Sequence, residues 1–330
     1  MIDVAIIGGG PAGSAAAIAC ARAGLGAMVF ERRGPVDEAG DRDNTEPEES
    51  IGPDCVALLA ELGIDCLRLS TPFAGVAVGN HLAIFGGVVA LAGFHLHRSR
   101  LDQELHTAAT RAGATVRLGV GAGGLESDGG MGFVLQSSIG PIAARQLIDA
   151  SGRRSWLARR LGLQRNRRSP PLLAWRDVLR SPDAVTGAVA RFTPRPDGWT
   201  WLADVSPGRV VRTRLAATRS AAGLGRAARP AAASTHAATW QVTRQLAGKN
   251  WFIAGEAAAA LDPATGSGVS FALRSGLAAG RAAAAAATEP RQSSLIAALY
   301  DNALLSDFES AAATLAHHYR RLGIRVLDGQ

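Results

Sequence analysis

The stretch that most constrains the fold of this chain is a glycine-rich turn near its beginning. Residues 3–7 form a short apolar run typical of a buried parallel strand, and residues 14–23 form an alanine-rich segment of helical composition. Between them, Gly8, Gly10 and Gly13 fall in a G-x-G-x-x-G frame. The first glycine permits a tight turn, the second lets a pyrophosphate approach the backbone, and the third lets the helix pack on the strand.

An acidic residue follows this turn at the spacing of a ribose-binding site. Residues 27–30 predict a second strand, which ends in Glu31. A glycine frame alone also fits an ordinary turn, but here the strand, the helix, the second strand and the acid occur in order. The pattern therefore predicts a Rossmann-type α/β unit that binds a dinucleotide, with the N–H groups of the helix start facing the phosphates.

Charge and cysteine content restrict the class of partner. The chain has 330 residues and a formal net charge of +7, and Lys249 is its only lysine. The densest arginine cluster, residues 153–168, is interpreted as a solvated face or linker, so no nucleic-acid partner is predicted. Cys20, Cys55 and Cys66 share no metal or redox spacing and are predicted to be buried thiols. With no metal site and no membrane span predicted, we expect a cytoplasmic protein.

Polar and glycine-rich segments follow two further apolar runs. Residues 144–148 lead directly into Asp149-Ala150-Ser151-Gly152, and residues 251–254 lead into a glycine-containing loop over 255–268. Ligands of open parallel sheets bind at the carboxyl ends of the strands. We therefore expect these two strand ends and the glycine turn to converge on one cofactor.

These elements resemble the glutathione-reductase-like FAD fold, in its p-hydroxybenzoate-hydroxylase branch. That family carries the glycine frame and its acid, a D-[AG]-x-G-x-x-S element and a G-D-A-A-x(4)-P-x-x-G-x-G element. Residues 149–155 match the second element and residues 255–268 match the third. Glu256 departs from the pattern, because the family has an Asp there that contacts the ribityl chain. The longer Glu either keeps that contact or displaces the flavin, and loss of the cofactor site is a further alternative.

Two more motifs narrow the branch. Residues 49–53 resemble the G-E-[ST]-[LI]-P-P stretch of tryptophan-halogenase-like and LodB/GoxB-like flavoproteins. Residues 97–102 resemble their R-x-x-[FL]-D element, whose Arg reaches the FAD phosphates, and the loop over 262–269 is shared with geranylgeranyl-reductase-like flavoproteins. The residues that the resemblance implies for FAD binding are Gly8, Gly10, Pro11, Ala12, Gly13, Glu31, Arg32, Glu49, Ser50, Arg98, Asp149, Gly255, Glu256, Pro263, Gly266, Ser267, Gly268 and Val269.

The resemblance also implies the domain organisation: an FAD-binding Rossmann domain interleaved with a smaller mixed-sheet substrate domain, and a C-terminal helix. Residues 1–71, 98–159 and 246–330 are assigned to the FAD-binding domain. Residues 72–97 and 160–245 are assigned to the substrate domain.

Trp199 and Trp201 lie in a Gly-Trp-Thr-Trp segment that resembles the G-W-x-W element of the same relatives. The resemblance implies that they line a substrate pocket. The alternative is that both belong to the core of a strand.

The reaction is the least constrained property. Flavin-dependent halogenases use a lysine in their N-terminal half, whereas Lys249 follows the midpoint and precedes the third motif. The resemblance therefore favours an FAD-dependent monooxygenase. It would hydroxylate an aromatic substrate, an indole or a tryptophan within a peptide, through a flavin C4a-hydroperoxide. The alternatives are an alkene reductase of the geranylgeranyl-reductase type, a halogenase or oxidase, and a non-enzymatic flavoprotein.

The partners follow from this chemistry. The substrate is expected to be a small molecule or a peptide, and electrons are expected from NAD(P)H or from a partner flavin reductase. His81, His95 and His97 are candidate general bases, because histidine titrates near neutral pH. Each also fits a structural or exposed position, so no catalytic residue is assigned.

Overall fold

The computed structural model describes residues 1–35, 48–73, 76–78, 88–89, 93–127, 132–181, 190–218 and 234–328. The helices are α1 (Pro11–Arg22), α2 (Pro53–Glu61), α3 (Arg98–Arg111), α4 (Trp156–Arg160), α5 (Gly268–Thr288) and α6 (Ser293–Arg321). The strands are β1 (Ile2–Ile7), β2 (Ala27–Glu31), β3 (Glu48–Ile51), β4 (Ser70–Phe73), β5 (Val76–Val78), β6 (Val88–Val89), β7 (Gly93–His97), β8 (Thr115–Leu118), β9 (Ala122–Ser127), β10 (Phe133–Ser137), β11 (Gly140–Asp149), β12 (Arg165–Arg167), β13 (Leu172–Arg180), β14 (Ala190–Arg195), β15 (Gly198–Ser206), β16 (Arg209–Ala217), β17 (Ser234–Ala237), β18 (Gln241–Thr243), β19 (Ala247–Gly248), β20 (Trp251–Ile253) and β21 (Ala259–Ala260).

The main sheet is built on the predicted Rossmann unit. Its strand order is β19-β20-β11-β1-β2-β8, and the four neighbouring pairs from β20 to β8 are parallel. The carboxyl ends of three strands are in register, with Ile7 opposite Asp149 and Asp149 opposite Ile253. The segments that follow these strands therefore begin side by side. This confirms the expected convergence of the three motifs and the α/β fold class.

Helices α1 and α5 pack so closely that their contact requires glycine. A Cβ built on Gly276 would lie 2.1 Å from the carbonyl oxygen of Ala12. A Cβ on Gly280 would lie 2.6 Å from the carbonyl oxygen of Ala16. Since no side chain fits between the two backbones, the small residues fix the position of α5, and therefore of its first turn, against the glycine turn.

A seven-stranded sheet of order β17-β13-β16-β15-β14-β5-β6 forms the second layer. It is mixed, because β14 pairs in parallel with β5 while its other pairs are antiparallel. A smaller sheet, β3-β7-β4, stands beside the cofactor motifs. We keep the predicted domain boundaries as a proposal. His81 and part of the 72–97 segment lie outside the described residues.

The C-terminal helix α6 joins the two cores. Its beginning packs Ala297, Tyr300 and Leu304 into the core of the main sheet. Its end packs Leu315 and Tyr319 into the core beneath the seven-stranded sheet. Among the described residues, no helix has both the length and the apolar composition needed to cross a bilayer. The predicted burial of the three cysteine thiols is confirmed.

Candidate functional site

Two glycines of the turn are enclosed by backbone atoms, and a third borders open space. A Cβ on Gly8, whose φ is +101°, would lie 2.4 Å from the carbonyl oxygen of Ala150. A Cβ on Gly13 would lie only 1.9 Å from the carbonyl oxygen of Gly8. At Gly10 the nearest described atom is a guanidinium nitrogen of Arg98, 3.4 Å away. The fold therefore requires Gly8 and Gly13, whereas Gly10 leaves space beside the first turn of α1.

Glu31 stabilises this turn through hydrogen bonds to its carboxylate. One carboxylate oxygen accepts the N–H of Gly9 at 2.8 Å, and the other accepts the backbone N–H of Arg33 at 2.8 Å. Burial opposes the charge of Glu31, but the hydrogen bonds from Arg33 and Gly9 outweigh it and lower the pKa. Glu31 is therefore ionised at neutral pH at the end of β2, the position predicted for a ribose contact.

Arg98 connects three segments around the open glycine. Its Nε donates to Asp102 at 3.0 Å, and its Nη1 lies 3.5 Å from a carboxylate oxygen of Glu49. Burial lowers the pKa of Arg98, but the charges of Asp102 and Glu49 raise the pKa by more than burial lowers it. The side chain therefore stays a cation. A fixed guanidinium beside Gly10 is suited to a phosphate.

Asp149 shapes the second motif from inside. It is completely buried, and its two oxygens accept the N–H groups of Ser151 and Leu157 at 2.9 and 2.7 Å. Burial raises the pKa of Asp149, against the effect of these hydrogen bonds. The carboxylate thus organises the turn that follows β11.

Glu256, the departure from the family pattern, is held by two arginines. Nε and Nη2 of Arg153 both lie 3.2 Å from one carboxylate oxygen of Glu256. Arg165 donates to the Glu256 carbonyl at 2.9 Å and to the Arg153 carbonyl at 3.2 Å. These contacts join the second and third motifs. The Glu256 carboxylate is half-exposed and lies at the edge where the three strands end.

The third motif is anchored by a buried carboxylate outside the predicted site. Asp262 accepts the N–H of Ala264 at 3.0 Å, the indole N–H of Trp240 at 2.6 Å and the hydroxyl of Tyr319 at 2.8 Å. The Tyr319 hydroxyl in turn accepts the indole N–H of Trp199 at 2.7 Å. Burial raises the pKa of Asp262, whereas its hydrogen bonds act in the opposite direction. The loop is thereby fixed to α6 and to the seven-stranded sheet.

Past this anchor the loop turns into α5. Gly266 has a φ of +63°, and a Cβ there would lie 3.2 Å from the Ser50 carbonyl. Around Gly268 a Cβ would meet no described atom within 4 Å. The first N–H groups of α5 lack partners within the helix, and they open onto this space. Val269, one residue further, is buried against the core of the main sheet.

Ser50 links the small sheet to this loop. Its hydroxyl lies 2.9 Å from Nδ1 of His95, directly across the β3–β7 pair. Burial lowers the pKa of His95 to about 4, so the ring is neutral at pH 7. Of the candidate bases, His95 lies beside the cofactor loop, because its partner Ser50 contacts that loop at Gly266.

The other predicted cofactor residues occupy supporting or peripheral positions. Pro11 and Ala12 are buried in the first turn of α1, and Ala12 faces Gly255. Ser267 immediately precedes α5. Arg32 is exposed after the end of β2.

A model of the tryptophan halogenase family matches residues 85–321. The chain belongs to the tryptophan halogenase family. It is 29% identical over 325 residues to the menaquinone reductase of Mycobacterium tuberculosis strain H37Rv. This alignment covers 83% of this chain and 74% of the relative. Membership places the chain among the flavin-dependent oxidoreductases.

Solved structures share the fold of this family member. The flavin-dependent halogenase CmlS superposes with a TM-score of 0.76 at 18% identity, over 93% of this chain and 62% of CmlS. The peptidyl tryptophan dihydroxylase QhpG, essential for tryptophylquinone cofactor biogenesis, superposes with a TM-score of 0.76 at 21% identity, over 98% of this chain and 76% of QhpG.

The residues of this family member fit FAD. Gly10 and Gly268 leave open space at the starts of α1 and α5, where helix N–H groups attract phosphate and other anionic groups. Arg98 adds a fixed cation beside the first of these positions. The pattern of open glycines at two helix starts is that of a cofactor cradle.

The only lysine lies at the other end of β20 from this cradle. Lys249 is exposed in the turn between β19 and β20, before the first residue of β20. The cofactor motifs follow the last residues of β1, β11 and β20. Although Lys249 precedes the third motif in the sequence, the two lie at opposite ends of β20.

One face of the seven-stranded sheet combines aromatic and polar side chains. Direct cross-strand pairs put five residues in one row on this face. They are Phe192, Trp201, Thr213, Arg176 and Ser234. The next row on the same face contains Trp199, Leu215, Ala174 and His236. We call this the substrate face.

The substrate face is directed at the cofactor loop. Trp199 and Leu215 belong to the core that Tyr319 of α6 completes, and Leu261 and Ala264 of the loop pack against the same core. Trp199 is 1% exposed, so it occupies the strand-core position that was the alternative to a pocket. Trp201 is half-buried on the same face, since residues two apart on a strand share a face.

His236 is a residue of this face that the sequence did not single out. It lies in a segment rich in alanine and serine with no motif around it. Only its pairing with Ala174 reveals which face it occupies.

Proposed function

We propose that this family member is an FAD-dependent monooxygenase that hydroxylates an aromatic substrate. The observation that carries the proposal is the row of Phe192, Trp201, Thr213 and Arg176 on the substrate face. Aromatic rings suit an aromatic substrate through stacked or edge contacts, and the neighbouring hydroxyl and guanidinium fix its orientation.

The two sides of the site have separate tasks. Arg98 and the open glycines would hold the phosphates of FAD, and the N–H groups at the start of α5 would favour negative charge on the reduced flavin. Bound and reduced, FAD supplies activated oxygen from O₂. Trp201 and Phe192 orient the substrate ring and exclude water from the space between the substrate face and the cofactor loop.

The position of Lys249 supports hydroxylation over halogenation. The lysine of flavin-dependent halogenases handles the hypohalous species and must therefore stand near the flavin. Here the only lysine is at the opposite edge of the main sheet. The fold shared with QhpG over 98% of the chain adds support, since QhpG is a peptidyl tryptophan dihydroxylase.

The second candidate function is an alkene reductase of the geranylgeranyl-reductase type. Two observations favour it: the menaquinone reductase relative, at 29% identity, and the Asp262-Pro263-Ala264-Thr265-Gly266-Ser267-Gly268 loop. In that function hydride would pass to an activated carbon–carbon double bond. Electrons would come from NAD(P)H or a partner flavin reductase in either case.

Stopped-flow spectroscopy separates the two functions. Chemically reduced, FAD-loaded enzyme is mixed with oxygenated buffer, with and without indole. We expect a transient species that absorbs to the blue of oxidised flavin and decays to it. Direct reoxidation without that transient in all arms would contradict the monooxygenase and favour hydride transfer.

A second arm tests halogenation. Bromide is added to the reduced enzyme, oxygen and indole, and products are analysed by mass spectrometry. We expect oxygenated and not brominated indole, and Lys249→Met should give the same product as the unchanged chain. Bromination that the Lys249→Met variant loses would contradict the assignment.

A further inference from the structure

His236 stands where the two domains meet. It lies on β17, the edge strand of the seven-stranded sheet, directly opposite Ala174. Ala174 belongs to the core beneath the substrate face, so His236 projects from the same face. Four residues later Trp240 donates its indole N–H to Asp262 of the cofactor loop at 2.6 Å. The strand that carries His236 is thus tied to the loop at its carboxyl end.

Charged groups from both domains act on this histidine. Partial burial lowers the pKa of His236, as do Arg176 on the neighbouring strand and Arg153 of the second cofactor motif. Glu256 of the third motif and Glu49 of β3 act in the opposite direction. These charges belong to the second and third cofactor motifs and to β3, so His236 shares their electrostatic environment. The ring is neutral at pH 7 and therefore able to accept a proton.

The ring also has a local partner that can set its tautomer. Nε2 of His236 lies 3.2 Å from the hydroxyl oxygen of Ser234, two residues earlier on the same face. When Nε2–H donates to this hydroxyl, Nδ1 carries the lone pair and is the hydrogen-bond acceptor of the ring. Ser234 itself occupies the end of the row that contains Trp201 and Arg176.

We propose that His236 is the catalytic base of the site and that it accepts a hydrogen bond from a ring hydroxyl or ring N–H of the substrate. The substrate is therefore a protic, electron-rich aromatic compound. This inference rests on the proposed function and names its substrate class.

The proton transfer is simple when the donor is a phenol. The O–H bond breaks and its proton binds Nδ1, which gives an imidazolium and a phenolate with no change in total charge. Arg176 and Arg153 stabilise the phenolate, whose ring is the better nucleophile toward an electrophilic oxygen. An indole keeps its N–H, and only the hydrogen bond to His236 forms.

Two matched pairs of probes test the inference without turnover. Phenol is compared with anisole, and indole with 1-methylindole, in titrations of the oxidised, FAD-loaded enzyme followed by flavin absorbance. In the pair that resembles the substrate, we expect the compound with the O–H or N–H group to bind about tenfold more tightly than its methylated counterpart. A tenfold ratio corresponds to about 1.4 kcal/mol, within the range of a hydrogen bond to a neutral acceptor. The pair that shows the ratio distinguishes phenols from indoles.

Substitutions assign the ratio to His236. His236→Phe should reduce it to about one while FAD content stays unchanged. His318→Phe, on the exposed side of α6, is the matched control and should keep it. If His236→Phe fails to fold, His236→Gln takes its place. In that variant we expect the binding ratio to be at least threefold lower than in the unchanged enzyme. Ser234→Ala should lower the ratio in part, because the tautomer is no longer fixed.

Two results would overturn the inference. One is a binding ratio near one in both pairs with the unchanged enzyme, and the other is a ratio that His236→Phe and His236→Gln leave intact.

Turnover adds a second readout. Hydroxylation of phenol should decline on the acid side as His236 becomes protonated, below its ordinary pKa of 6.5, and this decline should be absent in His236→Gln. A preserved binding ratio with no oxygenation in stopped flow would instead contradict the monooxygenase alone.

Discussion

The cofactor cradle and the substrate face are built by different means. In the cradle the decisive atoms belong to the backbone, because Gly8 and Gly13 admit no Cβ and Gly10 and Gly268 leave space for a ligand. The substrate face instead consists of side chains such as Trp201, which adjacent strands bring into one row. A backbone site tolerates few residue types and therefore leaves a motif in the sequence. A side-chain site tolerates many, and only the register of the strands reveals it.

The largest expected effects lie in the glycine turn and divide it into two classes. Gly13→Val should prevent folding, because its Cβ would stand 1.9 Å from the Gly8 carbonyl oxygen. Gly10→Val should leave the fold intact but weaken FAD binding by about 100-fold or more, because it fills the open side. Circular dichroism and retained flavin separate the two outcomes. A folded Gly13→Val, or a Gly10→Val that binds FAD normally, would remove the distinction.

Acid should act on the two regions differently. The pKa of His95 falls from 6.5 to about 4 on folding, so the ring supports stability fully above pH 6.5. As pH falls from 6.5 toward 4, this support, roughly 3 kcal/mol, is lost. His95→Gln should flatten the loss of unfolding free energy over that window, as measured by urea denaturation. His236→Gln, a change on the substrate face, should flatten it less, because folding lowers the pKa of His236 less than that of His95.

The junction of the two regions is tested by two tyrosines of α6. Tyr319→Phe removes a hydroxyl bonded to Asp262 and Trp199 and should cost about 1 to 3 kcal/mol of unfolding free energy. It should also weaken FAD binding, because Asp262 anchors the cofactor loop. Tyr300→Phe removes a buried hydroxyl bonded to the carbonyl of Ile253 at the end of β20, and it leaves the hydrogen bonds of Asp262 in place. Equal losses of FAD affinity in both variants would contradict a specific role for the junction.

The smallest expected effect concerns Glu256. Glu256→Ala should weaken FAD binding by about tenfold, since Arg153 is left without its carboxylate partner. Glu256→Asp restores the family residue and should retain or tighten binding. Flavin fluorescence titration of the three proteins provides the comparison. Equal affinity in all three would show that the carboxylate has no part in the cradle.

The sequence by itself determined the cradle. The G-x-G-x-x-G frame, Glu31, the 149–155 element and the 255–268 loop were all recognisable, because backbone clearance and helix starts impose fixed residues at fixed spacing. The sequence alone did not show that Lys249 and the third motif lie at opposite ends of β20, since closeness along the chain does not show at which end of a strand a residue lies.

Only the tertiary structure decided what surrounds the cradle. It placed Trp199 in the core, bonded to Tyr319 from a helix 120 residues further along the chain, and showed that Asp262 anchors the loop. It also placed His236 opposite Ala174, in the row that contains Trp199 and Leu215. These positions depend on strand register and on how α6 crosses both cores. No local pattern encodes either property, because each arises from packing between distant segments.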